Sequence, residues 1–402
     1  MTSRRASRWI LIGFAAVVVL AAAFSSLFWR RYLLSALRAP PDSVLSFYEP
    51  RERIAGIEDG PPLQRVTPQE EKMEPAALQV AADYAESIGS RALIVSRHGH
   101  VVFERYWHGS AFDTVVDTGA FNTVISSIMI GIAQGERKLP SIDVPAADYL
   151  TEWRGDARSR IRIIDLLQMS SGLAVTSQPG PAWLSRTRAR FSSDILAQYR
   201  RRPLAGRPGI DWAYQSADPQ WLGVIVERAA HTRYATYMSE RLWKRLGAAD
   251  AELWLDRPGG APHLDCCLLA RQGDWIRVAE MLLNDGVYQG ERILPPGWAR
   301  RMLTPAAGNE HYGFHVWLGS ADAAAQAYTA PDVDLLRGPG KTRLWIVPSL
   351  ALAILRTGGE PPAAAHWQDA LIPNLIVGGV RDFVRPVAPR RAVDISRLVP
   401  NH

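Results

Sequence analysis

The sequence predicts an α+β fold in which both ends of one domain build a single antiparallel sheet. Runs rich in β-forming residues occur at 91–106 and again at 312–355, and the segment between them has helical periodicity. Strands on either side of a helical block join one sheet when the block is an insertion. We therefore expect a three-layer α/β/α sandwich with an inserted all-helical subdomain at roughly 140–300.

An apolar run at the start of the chain predicts a membrane segment. Residues 9–29 are long enough to cross the hydrocarbon core of a bilayer, with arginines on both flanks and a tryptophan at each end. The alternative is a signal peptide cleaved near Ala21–Ala23, but the apolar part of such a peptide is usually shorter. We expect a single-pass protein of the bacterial inner membrane, with residues 1–8 in the cytoplasm and the domain in the periplasm.

A proline-rich segment separates this anchor from the domain. Between residues 30 and 75 seven prolines interrupt any regular pattern, which predicts a linker or an extended wrap over the domain surface. The domain then spans 76–402. It begins with a helix at Ala76–Ile88 and a hairpin at Arg91–Tyr106.

The helix that organises the domain is predicted at Thr118–Gln134. Its apolar residues recur with a period of 3.6 and form one broad stripe: Val124, Ile125, Ile128, Met129 and Ile132. A helix this apolar must lie inside the domain. Helices follow in the block at 161–173, 221–229, 234–246, 275–283 and 296–303. Strands at 312–318, 335–337, 343–347 and 350–355 and a helix at 363–376 complete the domain.

Composition and spacing exclude several classes of function. The net charge is +6, but the basic residues are scattered, so no nucleic-acid-binding stripe is present. Four histidines, His98, His100, His108 and His311, have no ligand-like spacing, and we expect no metal and no cofactor. The adjacent Cys266 and Cys267 are interpreted as two packed thiols, because neighbouring residues make an ordinary disulfide geometrically poor. Three aspartates beside helices are interpreted as capping or loop residues: Asp165, Asp211 and Asp218.

Several segments together resemble the serine β-lactamase-related family, which includes class C β-lactamases, DD-carboxypeptidases, esterases and 6-aminohexanoate-dimer hydrolases. The similarity is greatest to the last group. The segments that carry it are Arg91–Val95, Asp165–Leu173, Trp212–Asp218, Leu255–Gly260, Leu282–Pro296 and Arg356–Gly358. Together these segments span roughly Ala76 to Val377. The resemblance implies a β-lactamase/transpeptidase-like fold.

The chemistry of that family implies three site elements. The first is Ser-x-x-Lys at the start of a helix, and the second is a Tyr-x-Asn or Tyr-x-Ser loop, which Tyr214-Gln-Ser216 matches. The third is a strand edge that lines the pocket and supplies a backbone donor to the oxyanion, which we place at Arg337-Gly338-Pro-Gly340. For Tyr214 the alternative is a packed aromatic residue, and for the strand edge it is a plain Gly-Pro turn.

The first element is absent. Aligning Ile130–Ala133 with the Val-Gly-Ile-Ala common in the family places Ala120 at the serine position and Thr123 at the lysine position. The residues three positions before the four lysines are Gln69, Gly135, Arg241 and Gly338, so no Ser-x-x-Lys exists in any register. This favours a catalytically silent member that keeps a pocket for a peptide-like or cell-envelope ligand. The alternatives are an amide or ester hydrolase with a non-standard nucleophile and a fold without a selected ligand.

Overall fold

A computed structural model describes residues 26–37, 49–58, 60–175, 182–319, 327–363, 365 and 367–384. Eleven α-helices occur in this part of the chain. They are α1 (Leu27–Leu37), α2 (Pro75–Ser87), α3 (Asn122–Gly135), α4 (Ile163–Leu167), α5 (Ala182–Phe191), α6 (Ile195–Arg200), α7 (Ala217–Ala230), α8 (Tyr234–Met238), α9 (Gln272–Leu283), α10 (Trp298–Met302) and α11 (Leu371–Gly378).

Twelve strands lie within the same residues. They are β1 (Arg51–Ile54), β2 (Ser90–Arg97), β3 (His100–Tyr106), β4 (Val115–Asp117), β5 (Ala251–Trp254), β6 (Leu268–Arg271), β7 (Val287–Tyr288), β8 (Glu291–Arg292), β9 (Trp317–Leu318), β10 (Asp334–Arg337), β11 (Arg343–Val347) and β12 (Leu352–Gly358).

The predicted sheet is present, and both ends of the domain build it. Its six strands follow the order β3-β2-β12-β11-β10-β9, and every neighbouring pair is antiparallel. Alternate side chains of β2 enter different cores: Leu93 and Val95 pack with helices α2 and α11, whereas Ile94 packs with α3. Helices therefore cover both faces, and the predicted α/β/α layering is confirmed.

The predicted all-helical subdomain is wrong, because it contains strands. A second sheet of order β1-β5-β6-β4 and the small β7–β8 hairpin take residues from this region. Strands β5 and β6 are only four residues long, Ala-Glu-Leu-Trp and Leu-Leu-Ala-Arg, and neither contains a β-branched residue. Runs this short and without β-branched residues give no period-2 signal.

The segment predicted as a linker is partly ordered against the domain. Strand β1 pairs along its whole length with β5, from Arg51 opposite Trp254 to Ile54 opposite Ala251. This agrees with an extended wrap over the domain surface and not with a free linker. Most of the predicted anchor, residues 9–25, lies outside the described residues, and α1 begins at Leu27. Within the described ranges no helix is both long enough and apolar enough to cross a bilayer.

Helix α3 lies at the centre of the larger core, as predicted. Val124, Ile125, Ile128, Met129 and Ile132 are each at most 2% exposed. Its N-terminal turn is preceded by Gly119, whose φ is +56°. A Cβ atom at that position would lie 2.6 Å from Cδ of Pro339, so the strand edge can approach this turn only because residue 119 is glycine.

Replacing Gly119 with alanine tests this close approach. We expect Gly119→Ala to lower the free energy of unfolding by about 1–3 kcal/mol, since the new methyl meets Pro339 and residue 119 has positive φ. Urea denaturation measures the change. Gly378→Ala is the matched control, because a Cβ atom there would meet open space and its φ is not positive; it should change stability by less than about 0.5 kcal/mol. Equal effects of the two substitutions would contradict the interpretation.

Candidate active site

Ala120, which the sequence analysis aligns with the family's serine, lies where the helix begins. Ala120 is the middle residue of a single 3₁₀ turn, Gly119–Phe121, that runs directly into α3. Ala120 is partly exposed, whereas Thr123 is 3% exposed. The Thr123 hydroxyl donates to the Ala120 carbonyl oxygen at 2.8 Å. The position of the expected general base thus holds a short side chain turned back on its own turn.

The predicted strand edge packs against this turn. A Cβ atom on Gly338 would lie 2.5 Å from the Thr118 carbonyl oxygen, and the Pro339 ring faces Gly119. Gly340 has a φ of +60° and faces strand β12, where a Cβ atom would lie 2.4 Å from the Gly358 carbonyl oxygen. Gly338 and Gly340 thereby hold the edge in close contact with elements on its two sides.

An aromatic cluster joins Tyr214 to the same edge. The Tyr214 ring stacks on Trp317 with centroids 5.9 Å apart and meets Tyr312 edge-on at 6.2 Å. The Arg337 guanidinium carbon lies 4.4 Å from the centre of the Trp317 ring, and the same guanidinium pairs with Asp369. Trp317 is therefore the contact that Tyr214 and Arg337 share. The sequence analysis predicts the tyrosine and the arginine but not the tryptophan between them.

The electrostatics at Tyr214 do not favour a base. Two fifths of the residue is exposed, yet burial around its hydroxyl group, and secondarily the charge of Asp265, raise the pKa of Tyr214 to about 12. The phenol is therefore protonated at neutral pH. Three of the four lysines pair with acids elsewhere: Lys72 with Asp382, Lys138 with Glu136, and Lys244 with Glu240. The fourth, Lys341, ends the 3₁₀ turn Pro339–Lys341.

A buried polar network holds the loop that carries Tyr214. The Gln215 amide donates to the Ser171 hydroxyl at 2.8 Å, and that hydroxyl donates to the Asp218 carboxyl at 2.7 Å. Arg202 donates to the Gln215 carbonyl oxygen at 3.3 Å. Burial raises the pKa of Asp218 to about 8, and the bond from Ser171 and the charge of Arg202 only partly oppose this shift.

The remaining predicted positions have structural partners. Ser216 is the N-cap residue of α7 and lies close to the buried side chains of Asp265 and Tyr199. Asp165 accepts from the Arg162 backbone and caps α4, and Asp211 pairs with Arg207, both as predicted. Asp218 differs from the prediction, because it is fully buried in the first turn of α7 and belongs to the polar network. Periodicity could not distinguish a buried aspartate from a capping one.

A loop with a disulfide supports the first turn of α3. The Asn122 side-chain amide donates to the carbonyl oxygens of His263 (3.0 Å) and Cys266 (2.8 Å). Cys266 and Cys267 form a disulfide, so the prediction of two separate thiols is wrong. Cys267 adopts a φ of +70°, a local backbone conformation that residue spacing does not reveal.

One group of possible metal ligands occurs within the described ranges. The candidate atoms of His263, Asp265 and Cys266 lie within 4.8 Å of one another. The Cys266 sulfur is already bonded to Cys267, so it is not a thiolate ligand. Burial, together with the positive charges of Arg31 and Arg190, lowers the pKa of His263. The same charges disfavour a bound cation.

Comparison with known proteins identifies the fold. The beta-lactamase family profile matches residues 76–325. The chain belongs to the beta-lactamase family. It is 27% identical over 296 residues to the 6-aminohexanoate-dimer hydrolase of Paenarthrobacter ureafaciens, covering 69% of this chain and 74% of that protein.

Two solved structures of the same family illustrate how far the fold is shared. A family VIII carboxylesterase superposes with a TM-score of 0.60 at 13% identity, over 79% of this chain and 98% of that one. A penicillin binding protein from Bacillus halodurans gives a TM-score of 0.56 at 14% identity, over 71% and 96% of the two chains. Identities this low establish the fold alone. The predicted family and the β-lactamase/transpeptidase-like fold are confirmed.

The pKa of Asp218 predicts how stability depends on pH. A carboxyl that titrates near pH 8 in the folded state and near 3.8 in the unfolded state is protonated only in the folded protein between these values. Stability should therefore fall as pH rises from 4 to 8, by up to about 1.4 kcal/mol per pH unit from this group. In urea denaturation across this range, Asp218→Asn should flatten the slope. Asp211→Asn is the exposed control and should leave it unchanged; an unchanged slope in Asp218→Asn would contradict the assignment.

Proposed function

We propose that this protein is a catalytically silent member of the beta-lactamase family, anchored in the bacterial inner membrane with its domain in the periplasm. In this proposal the domain keeps its pocket for a peptide-like or cell-envelope ligand. The observation that carries it is the methyl group of Ala120 in the turn where the family places its nucleophile. Without a nucleophile, a comparable hydrolase keeps only about 10³–10⁴-fold catalysis over water.

The neighbouring hydroxyls are poor substitutes for the missing serine. Ser126 and Ser127 are 0% exposed within α3, so a substrate carbonyl has no path to them. Thr123 is nearly as buried, and its hydroxyl already donates to Ala120. A hydroxyl nucleophile also needs a base within hydrogen-bond reach. Tyr214, with its pKa raised to about 12, does not supply that base at neutral pH.

The strand edge gives independent support for a silent site. An oxyanion requires preorganised N–H donors, and this edge is the element expected to supply one. Pro339, which faces the Ala120 turn, has no N–H group. The Gly338 N–H donates to the Thr342 carbonyl oxygen at 2.9 Å and is thus occupied within the turn. The attacking group is therefore absent at Ala120, and neither Gly338 nor Pro339 offers a free N–H group to the developing charge.

The features that remain suit binding. Tyr214 offers a half-exposed ring, and Arg337 adds a partly exposed cation that also contacts Trp317 and Asp369. Aromatic faces beside a guanidinium suit a ligand with both apolar and anionic groups, as peptide-like and cell-envelope molecules have. A second candidate function is an amide or ester hydrolase with a non-standard nucleophile. Its support is the similarity to a protein named 6-aminohexanoate-dimer hydrolase.

A covalent probe separates the two candidates. We expect the detergent-solubilised full chain to remain unlabelled by a fluorophosphonate and not to hydrolyse p-nitrophenyl butyrate, because no activated hydroxyl is present. Mass spectrometry of the intact protein measures the labelling. Stoichiometric labelling would overturn the silent site, and the modified peptide would name the nucleophile.

Restoring the lost groups tests the register. We expect Ala120→Ser with Thr123→Lys to produce weak esterase activity, since the pair recreates a nucleophile with an amine one turn away. Adding Pro339→Ser restores a backbone N–H at the edge and should raise kcat further, by up to about 10²–10³-fold. Steady-state hydrolysis of p-nitrophenyl butyrate measures both steps.

The control for this series keeps the new hydroxyl but omits the amine. Ala120→Ser alone should stay close to background, because its hydroxyl has no base. If the double variant folds, as judged by circular dichroism, and stays inert with and without Pro339→Ser, then the placement of Ala120 at the nucleophile position is wrong.

A further inference from the structure

A buried arginine fixes helix α1 to the domain. Arg31 is 2% exposed, and its guanidinium donates hydrogen bonds to four backbone carbonyl oxygens. The acceptors are those of Ser192 (3.0 Å), Asp256 (3.0 Å), Glu49 (2.7 Å) and Leu255 (2.9 Å). They belong to three separate stretches of chain. The two terminal nitrogens of this rigid fork are bonded from three directions, which defines both the position and the rotation of the helix.

The apolar residues on the same side of α1 add a packed contact. Phe28 and Leu34, three residues before and after Arg31, join a cluster with Phe191, Trp254 and Cys267. The rings of Phe28 and Phe191 meet edge-on with centroids 6.5 Å apart. Arg31 itself lies 4.9 Å from the centre of the Trp254 ring. This spacing of three residues places Phe28, Arg31 and Leu34 on one face of the helix.

The opposite face of α1 carries the residues expected at a membrane surface. Trp29 is 50% exposed and Arg30 is also exposed, whereas Tyr32, at the border of the two faces, is 37% exposed and its ring meets Phe191 of the domain edge-on at 6.3 Å. Tryptophan, tyrosine and arginine are the residues enriched at the interface of a bilayer with water. They follow directly on the apolar run predicted to be the anchor.

The docking of Phe28 also limits where a membrane span ends. A side chain that packs on Phe191 is not in the hydrocarbon core, so the span ends by Ser26. Residues 9–26 are 18 residues, which as a helix measure about 27 Å, close to the thickness of the hydrocarbon core. In the proposed anchor, this run would span the bilayer without using Phe28 or any later residue.

We propose that α1 is a rigid mount that holds the domain directly on the bilayer surface, with Trp29 and Arg30 in the headgroup region. This inference rests on the membrane anchoring proposed above and is independent of whether the site is silent. In this arrangement α1 is not a free linker, and the domain has a fixed orientation relative to the bilayer. The face of the domain that carries Phe191 and Trp254 then lies next to the membrane.

Spin labelling of the full chain in nanodiscs tests the surface contact. The bilayer is phosphatidylethanolamine and phosphatidylglycerol, and the nitroxide is attached at Arg30→Cys with the native disulfide left oxidised. We expect the label to be several-fold more accessible to oxygen, relative to a water-soluble nickel chelate, than a label at Val80→Cys. Val80 is exposed on α2, on the face of the six-stranded sheet opposite to α3. A label at position 30 with the accessibility of bulk water would overturn the mount.

Hydrogen exchange in the same nanodiscs tests whether Arg31 fixes α1 to the domain. In Arg31→Gln the amides of residues 31–37 should lose protection, because the four carbonyl bonds are gone. Arg30→Gln is the matched control: it removes the same charge from the exposed face and should keep protection. Retained protection in Arg31→Gln would show that Arg31 does not fix the helix and would contradict the rigid mount.

Extraction of the membranes with carbonate separates the two proposals. Retention of the protein, together with a water-exposed label at position 30, would refute the mount and leave the anchor standing. Release of the protein would refute the anchor, and with it the mount.

Discussion

The site is built around one close contact. In it Thr118 and Gly119, at the start of the 3₁₀ turn, meet Gly338 and Pro339 of the strand edge. Two glycines make it possible, since a Cβ atom on Gly119 would meet the Pro339 ring and one on Gly338 would meet the Thr118 carbonyl oxygen. It joins the N-terminus of the central helix to the sheet, and thereby joins the helical block to the strands from both ends of the domain. Arg337, which precedes Gly338, contacts Trp317, and Trp317 in turn stacks on Tyr214.

This contact explains how a catalytically silent site, as proposed here, would keep its shape. The contact depends on small residues and on the proline ring, and none of these needs a serine hydroxyl or a lysine amine. The loop with Tyr214 is fixed separately by Gln215, Ser171 and Asp218, which lie beneath it and are fully buried. A buried network that must satisfy its own polar groups persists for reasons of stability. The architecture of a hydrolase therefore does not require its activity.

The sequence was sufficient for the parts of the fold that have long periodic patterns. The β2–β3 hairpin, helices α2 and α3 and the strands β10–β12 all appear where alternation or the 3.6 period predicts them. The second sheet could not be predicted, because β5 and β6 are four residues long and pair with β1 and β4 from distant parts of the chain. Non-local pairing of short strands leaves no local pattern to find.

The site was predictable to the extent that motifs could be aligned. Alignment predicts Ala120, Thr123, Tyr214 and the strand edge as site positions, but the significance of Pro339 depends on its facing Gly119, which only the fold reveals. The same holds for Asn122. It lies between Ala120 and Thr123, and its amide bonds to the carbonyl oxygens of His263 and Cys266, next to the cluster that receives Phe28 of α1.

Only a few side chains therefore separate helix α1, which would face the membrane, from the turn that would receive a ligand. A rigid mount at one end of this chain of contacts would hold the mouth of the site at a fixed place relative to the bilayer. Such an arrangement suits the recognition of a ligand from the cell envelope, which a binding protein can perform without a nucleophile.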